Sequence, residues 1–233
     1  MSSDQPRTLD KVMVILAHPD DPEFFCGATI AKFVRQGKRV RYCMLTCGDK
    51  GSDDPGMTHD LLCSIRHEEQ TAAARVLGVT ELVWLNYPDG ELVPTLESRL
   101  RVAREIRKYK PDIVVTCDPV RVITAFGTVN HPDHRAAGQI ALDAIMPGAG
   151  NRMYYVELLD EGLEPHQVKE VYIAGAEHPD TAMDVTDTFE LKLKALREHK
   201  SQIKDFDTLE QRMRARMRKD GLYFEMFKRL VLA

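Results

Sequence analysis

The sequence lacks a cationic excess and a long apolar segment. Its 32 lysines and arginines are outnumbered by 36 aspartates and glutamates, giving a net charge of −4. A general nucleic-acid or anionic-membrane surface would need the opposite balance. No run approaches the roughly 20 apolar residues of a membrane span, and the first residues are too polar for the core of a signal peptide. We therefore expect a cytoplasmic protein that binds neither nucleic acid nor membrane.

Cysteines are few and odd in number. The five are Cys26, Cys43, Cys47, Cys63 and Cys117. Most of them lie in apolar segments, so we expect reduced core thiols rather than disulfides. A zinc ribbon through Cys43 and Cys47 is a minor alternative.

A glycine-rich nucleotide fingerprint is also missing. Residues 12–17 are consecutive apolar residues, which is typical of a parallel strand covered on both faces. The segment HPDDPEFFCG follows, with a single glycine at its end, where a dinucleotide-binding fold would have several. Dinucleotide binding therefore loses its main support.

Strand and helix patterns alternate along the chain. Strands are predicted at 12–17, 39–46, 81–85 and 113–117, and helices at 27–36, from Thr58 or Asp60 to 77, and at 95–109. This alternation predicts an α/β fold with a Rossmann-like, doubly wound, mostly parallel sheet and helices on both faces. We expect one domain over residues 1–233.

The second half of the chain is less regular. A helix is predicted to begin near Pro132, and strands at 153–158, 168–174 and 182–185. From Asp187 onward we expect a mainly helical C-terminal part, because Asp187 and Glu190 have capping-box spacing. The basic stretch RMRARMRK carries an apolar stripe of Leu209, Met213 and Met217, which favours a packed amphipathic helix over nucleic-acid binding.

Two clusters of histidine and aspartate follow predicted strands. The carboxyl ends of parallel strands share one edge of the sheet, where open α/β sheets bind ligands. His18 and Asp21 are three residues apart and can face one ion, which leaves Asp20 free to act as a base. His131 and His134 repeat that spacing, and either could supply a third ligand. The pattern predicts a hydrolytic zinc site with a position left for water.

Six segments together resemble one family, the LmbE/PIG-L family of zinc-dependent N-acetylglucosaminyl deacetylases. They are AHPDDPEFFCGATIA, Arg66-His67-Glu68-Glu69, Tyr87-Pro88-Asp89-Gly90, Lys110-Pro111-Asp112, HPDHRAAG and His199-Lys200-Ser201-Gln202. The paired HPDD and HPDH, in this order and spacing, are the most specific part of the resemblance.

The resemblance implies roles for individual residues. The ligands of Zn²⁺, or of another divalent ion in its place, would be His18, Asp21 and His134. Asp20 would be the general base. His131, held by Asp133, would stabilise the oxyanion or act as an acid.

The resemblance also implies contacts with the substrate. Arg66 would match the family's substrate-contacting arginine, although it could pair with Glu69 or Gln70 on the surface of its helix. Asp89 is a second substrate-binding candidate, or it could shape its turn. The chain departs from the family in having Pro22 directly after the second aspartate, with Glu23 one position later. It also has Val129-Asn130 where some members have a tyrosine.

The implied activity is removal of an N-acetyl group from an N-acetylglucosamine-type substrate, with release of acetate. The implied partners are a small N-acetylated sugar and further copies of the chain, in a trimer or hexamer. Two alternatives stay open: a metal-dependent phosphoesterase, and a non-catalytic module that binds a metal or ligand. A third His-Pro-Asp, at His178, is expected to be a turn because no comparable buried strand leads into it.

Overall fold

The computed structural model describes residues 9–232, which contain one eight-stranded sheet flanked by helices. The strands are β1 Lys11–Leu16, β2 Arg39–Thr46, β3 Glu81–Tyr87, β4 Ile113–Cys117, β5 Glu170–Ala174, β6 Thr181–Asp184, β7 Arg218–Lys219 and β8 Leu222–Val231. The α-helices are α1 Asp21–Arg35, α2 His59–Val76, α3 Leu96–Tyr109, α4 Pro132–Asp143, α5 Glu157–Asp160, α6 Phe189–Leu196 and α7 Phe206–Met217. None of the helices in this described part is long and apolar enough to cross a membrane.

The strand order is β3-β2-β1-β4-β5-β8-β6, with β7 paired to β8. The first five strands of this order are parallel to one another, whereas β8 runs antiparallel to both β5 and β6. The predicted doubly wound, mostly parallel fold is thereby confirmed. Because the chain leaves β1 for β2 on one side and reaches β4 on the other, the order reverses between β1 and β4. This is where such sheets bind ligands.

Side chains of β1 alternate between two buried layers. Met13 and Ile15 pack in a cluster with apolar residues of α3 and α4, and Val12 and Val14 pack in a second cluster with residues of α1, α2 and α6. All four side chains are fully buried, which explains why this strand shows no polar alternation. Helix α4 lies close to β4 because Gly138 is there: a Cβ atom would lie 2.3 Å from the carbonyl oxygen of Cys117.

The prediction of a helical C-terminus is only partly correct. Helices α6 and α7 are present, and Met213 is buried beside Leu209 and Met217, as the apolar stripe predicts. Residues 222–231, however, form β8. Asp220 and Gly221 both have positive φ, of 51° and 85°, and turn the chain into a hairpin. The Asp-Gly pair was the available signal for this hairpin. The capping box at Asp187 is also wrong, because α6 begins after Thr188 with no side-chain cap.

The strand predicted at 153–158 does not form. Met153 is 82% exposed, and the segment leads into the short helix α5. The buried guanidinium of Arg107 donates to the carbonyl oxygen of Tyr154 in this segment and to that of Asn151 just before it, both at 2.9 Å. An apolar run alone therefore did not identify a strand here. The strands predicted near 168–174 and 182–185 correspond to β5 and β6.

The cysteine prediction is wrong for one pair. Cys47, directly after β2, and Cys63, on α2, form a disulfide because the loop between them folds back on that helix. Cys43, the other cysteine of the zinc-ribbon alternative, belongs to none of the possible metal-binding groups of the described residues. The other cysteines, Cys26, Cys43 and Cys117, are free and buried, as expected for core thiols.

Candidate active site

Both histidine-aspartate clusters lie at the carboxyl edge of the sheet, beside the β1–β4 junction. They border a cavity of about 350 Å³, a size suited to a small ligand. The residues that line it are His18, Asp20, Asp21, Phe24, Phe25, Gly51, Arg66, Asp89, His131 and His134. All of the metal-ligand and base candidates of the sequence analysis therefore meet at one site, whereas Asp133 lies behind it.

The turn after β1 is tightly constrained. Asp21 is the first residue of α1, and its Oδ2 accepts a hydrogen bond from the backbone N–H of His18 at 2.8 Å. Asp20, just before the helix, has φ 84°. Such left-handed backbone costs a non-glycine residue of order 1–3 kcal/mol and is common at functional sites. Pro22 in the first helical turn fixes the backbone that follows.

Two imidazoles converge on Asp21. Its Oδ1 lies 3.0 Å from Nε2 of His134, and its Oδ2 lies 3.5 Å from Nδ1 of His18. One donor atom from each of the three residues lies within 4.8 Å of the other two. Two imidazoles and one carboxylate are the donor types that divalent zinc prefers in hydrolytic sites. The residues present therefore fit a divalent metal ion.

In each of the two proposed histidine ligands, the ring nitrogen that faces away from Asp21 is also held in place. Nε2 of His18 lies 3.0 Å from Oδ1 of Asp89 and 3.2 Å from Oδ2 of Asp133, and Nδ1 of His134 lies 3.2 Å from Oδ1 of Asn130. Histidines that bind metals usually donate their second N–H to such an acceptor, which fixes the ring and the tautomer. The arrangement leaves Nδ1 of His18 and Nε2 of His134 facing Asp21.

The electrostatics follow from these contacts. Burial alone would lower the pKa of His18, but hydrogen bonds to Asp133, Asp21 and Asp89 outweigh it and raise that pKa well above its usual value. Burial would raise the pKa of the Asp21 carboxyl, yet the imidazoles of His134 and His18 hold it far below its usual range. A strongly acidic carboxyl is suited to coordinate a cation.

Asp20 points away from this cluster and toward Arg66. Its Oδ2 accepts a hydrogen bond from Nη2 of Arg66 at 3.3 Å, and its side chain is 15% exposed. Burial raises the pKa of Asp20 to about 6, although the charge of Arg66 opposes the rise. Arg66 also donates to the carbonyls of Pro19 and Gly48, so it braces the walls of the cavity as well as lining it.

The loop after β2 closes one side of the cavity, where Gly51 lines it. This loop depends on a glycine at position 48. A Cβ atom there would lie 2.1 Å from Nη1 of Arg66, and its φ of +67° is one that side chains rarely adopt. The disulfide at Cys47 ties the same loop to α2, which carries Arg66.

His131 caps α4 and lines the cavity. Its Nδ1 accepts a hydrogen bond from the backbone N–H of Asp133 at 3.2 Å. Burial, together with the nearby charge of His18, lowers the pKa of His131. A neutral ring that accepts through Nδ1 carries its proton on Nε2, so His131 can present an N–H donor.

Asp133 contacts His131 through its backbone and His18 through its side chain. Its carboxylate is fully buried and accepts from the backbone of Gly90 and Leu92 at 2.7 and 3.2 Å, besides contacting His18. Only its backbone N–H bonds to His131. Asp133 thus holds the His18 ring directly. Its carboxylate is itself held by the turn after β3, which passes beside the start of α4.

Asp89 makes a similar contact. Besides facing His18, its carboxylate accepts from the backbone N–H of Lys50 at 3.2 Å, and its own N–H donates to Asp49 at 3.2 Å. Asp89 thus joins the turn after β3 to the loop after β2, and it also borders the cavity.

Sequence reasoning gave no role to several residues near the site. Phe25 packs edge-on against His134, with ring centroids 5.3 Å apart, and Phe24 is 36% exposed at the cavity. Glu23 and His199 are both buried and in contact at 3.0 Å. Phe24 and Phe25 could have been found from their position one turn after the first cluster. The Glu23–His199 contact spans 176 residues, so no local spacing could indicate it.

Known proteins with a similar sequence or fold include several deacetylases. The family model PIG-L, GlcNAc-PI de-N-acetylase, matches residues 13–145. A diacetylchitobiose deacetylase of Thermococcus kodakarensis is 36% identical over 192 residues, which are 82% of this chain and 70% of that protein. The structure of an N,N′-diacetylchitobiose deacetylase from Pyrococcus horikoshii superposes with a TM-score of 0.84 at 32% identity, covering 95% of this chain and 84% of that one.

The fold alone is shared more widely. The 4-carboxy-2-hydroxymuconate hydratase of Pseudomonas putida KT2440 superposes with a TM-score of 0.78 at 20% identity, covering 96% of this chain and 97% of that one. Similar topology therefore does not decide the reaction, and the site residues and the closer relatives must. The family match spans more than half of the chain and includes both histidine-aspartate clusters. The chain accordingly belongs to the PIG-L (LmbE-like) family of metal-dependent deacetylases.

Proposed function

We propose that this protein is a zinc-dependent deacetylase that removes the N-acetyl group from an N-acetylglucosamine-type sugar and releases acetate. The observation that carries the proposal is the convergence of His18, Asp21 and His134 on one point of a cavity that Asp20 also lines. The names of the relatives support the same class of substrate.

The metal would be held by His18, Asp21 and His134. A divalent ion bound there would lower the pKa of a water molecule toward about 7 and polarise the acetamide carbonyl. The protein's own part is to aim the three donors, which it does through Asp133, Asp89 and Asn130 behind the two rings.

Asp20 would act as the general base. Its carboxylate borders the cavity without joining the donor cluster, so it can accept a proton from the attacking water. The oxygen–carbon bond forms as that proton moves to Asp20. The carbon–nitrogen bond then breaks, and a proton from Asp20 or His131 passes to the leaving amine, so that the products are acetate and a free amino sugar.

His131 would stabilise the oxyanion. Because its Nδ1 is used as an acceptor, its Nε2–H is available to donate into the cavity. Such a donor contributes about 3–4 kcal/mol to transition-state stabilisation in enzymes where it has been removed. Arg66 would fix Asp20 and contact the substrate, since it also lines the cavity.

The test is a direct assay for acetate. Purified protein is analysed for bound metal and incubated with N-acetylglucosamine, diacetylchitobiose and phosphate esters, with and without a chelator. We expect acetate from at least one acetamide, loss of activity with the chelator and recovery on addition of zinc. Release of phosphate without acetate would favour a phosphoesterase, and metal binding with neither product would favour a binding module.

The oligomeric state is also part of the proposal. We propose a homo-oligomer, and the family resemblance suggests a trimer or hexamer. An interface between subunits is supported by the loop beside the site, which exposes several apolar side chains. They are Val120, Val122, Ile123, Phe126 and Val129. Light scattering of the purified protein tests this, and a monomer would contradict it.

We also propose a cytoplasmic location, although the Cys47–Cys63 disulfide is more typical of oxidising compartments. Thiol trapping in cells measures the state of this pair and so tests the location.

A further inference from the structure

A chain of buried polar groups runs from Asp20 into the protein interior. The backbone N–H of Asp20 donates to Oε1 of Gln70 at 2.8 Å. Nε2 of Gln70 donates to both carboxylate oxygens of Glu23, each at 3.0 Å. The other side of Glu23 contacts Nε2 of His199 at 3.0 Å and the hydroxyl of Tyr42 at 3.3 Å.

Every member behind Asp20 is out of contact with solvent. Glu23, Gln70, His199 and Tyr42 each have an exposed fraction of 0%. Buried carboxylates are retained only where donors satisfy them, and Glu23 has Gln70, His199 and Tyr42 around it. None of these groups lines the cavity, so substrate does not reach them.

The chain also contains an unsatisfied atom. Nδ1 of His199 is buried and has no hydrogen-bond partner among the residues that the structure describes. An apolar side chain of similar shape would remove this unpaired nitrogen, but it would also leave the buried carboxylate of Glu23 with one donor fewer. The contact of His199 with Glu23 is therefore its contribution to this chain of polar groups.

These polar groups end at the backbone N–H of Asp20, whose conformation is unfavourable. Its φ of 84° is left-handed, and this conformation turns the side chain toward Arg66 while Asp21 faces the histidines. An unfavourable backbone conformation persists only where its surroundings hold it. The hydrogen bond from Gln70 acts on the N–H of this residue.

We propose that Glu23, through Gln70 and with His199 behind it, is a positioning residue that holds Asp20 in the conformation from which it accepts the proton. This inference rests on the proposed role of Asp20 as base. Glu23, the acid that lies one position later than in the family pattern, thus acts by holding the turn that contains Asp20.

The test exchanges the two ends of the central hydrogen bond. Glu23→Gln and Gln70→Glu each disrupt the pairing of amide and carboxylate. The double variant carries both changes and restores the pairing in the opposite sense, with an oxygen of residue 70 still facing the N–H of Asp20. We expect each single variant to lose about 10- to 100-fold in kcat with KM and bound metal unchanged, since a small displacement of a reacting group has this effect. The double variant should recover most of the loss.

Glu225→Gln is the matched control. Glu225 is also a buried acid against α1, where it accepts from the backbone of Ala28 and Thr29 and pairs with Lys192, but it makes no hydrogen bond to Gln70 or to Asp20. This variant should lower the melting temperature and leave kcat unchanged.

Each outcome decides the proposal. Single variants with normal kcat would overturn it, as would a double variant that recovers stability but not kcat, or one that fails to fold. The variant Asp20→Asn distinguishes a failure of the positioning role from a failure of the proposed base. If Asp20→Asn abolishes turnover while the Glu23 and Gln70 variants are normal, the positioning role alone is wrong; if Asp20→Asn is active, the proposed base is wrong.

Discussion

Asp20 and Asp133 each follow a His-Pro pair at the same edge of the sheet, yet their surroundings differ. The Asp20 side chain is 15% exposed, borders the cavity and has Arg66 beside one oxygen. The Asp133 side chain is fully buried, and its oxygens accept from two backbone N–H groups and face His18. A carboxylate that takes up a proton must reach the reactants, whereas one that orients a ligand must have its acceptor positions filled. Identical tripeptides therefore supply two different functions.

Backbone geometry produces the difference. Asp20 has positive φ just before α1, so its side chain leaves the turn on the cavity side. Asp133 lies within the first turn of α4, after Pro132, so its side chain points back across the sheet edge to the turn after β3. The two roles can be separated by substitution, as follows.

Removal of a metal-binding imidazole should have the largest effect. In His134→Ala the ring that faces Asp21 at 3.0 Å is gone, so bound metal and acetate release should both fall to background. His131→Ala, the control from the same motif, should keep its metal and lose about 10²–10³-fold in kcat. Elemental analysis checks both, and a normal metal content in His134→Ala would contradict the ligand assignment.

Asp133→Asn should have the next largest effect. An amide cannot accept from Gly90, Leu92 and His18 together, so one buried donor loses its partner, at a cost of about 1–3 kcal/mol. The His18 ring also loses its support, and metal affinity should fall by about 10- to 100-fold. Metal titration with thermal melting measures both quantities. Unchanged affinity would show that Asp89 alone orients His18.

The third His-Pro-Asp should be the least sensitive. Asp180 lies at the surface, where it pairs with Lys228 at 2.7 Å and accepts from the backbone of Arg229. Asp180→Asn should leave kcat and metal content unchanged, because its contacts tie β6 to β8 far from the cavity. A loss of activity in steady-state assays would mean that the tripeptide has a role that its position does not explain.

Much of the fold could be predicted from the sequence. The apolar run of β1, the capped helix from Pro132 and the alternation up to β4 depend on local periodicity, and local periodicity is what the chain displays. The C-terminal strand β8 was missed because basic residues and methionines upstream favoured a helix, although Asp220-Gly221 marked the hairpin.

The site was predictable to the extent that its groups are close in sequence. His18, Asp20 and Asp21 could be placed together from spacing alone. Contacts across the chain could not, because they depend on how loops meet: Asp133 with the turn at Gly90, and Glu23 with His199. The disulfide between Cys47 and Cys63 belongs to the same class, since only the folded loop brings the two sulfurs together.

The most direct measurement is the turnover of metal-loaded Asp20→Asn. This change keeps the size of the side chain and its place beside Arg66 but removes the proton acceptor. The account predicts a normal melting temperature, a full complement of metal and a kcat for acetate release that is about 10²–10⁴-fold below that of the unaltered protein. A metal-replete Asp20→Asn protein with near-normal turnover would contradict the account and transfer the role of base to His131.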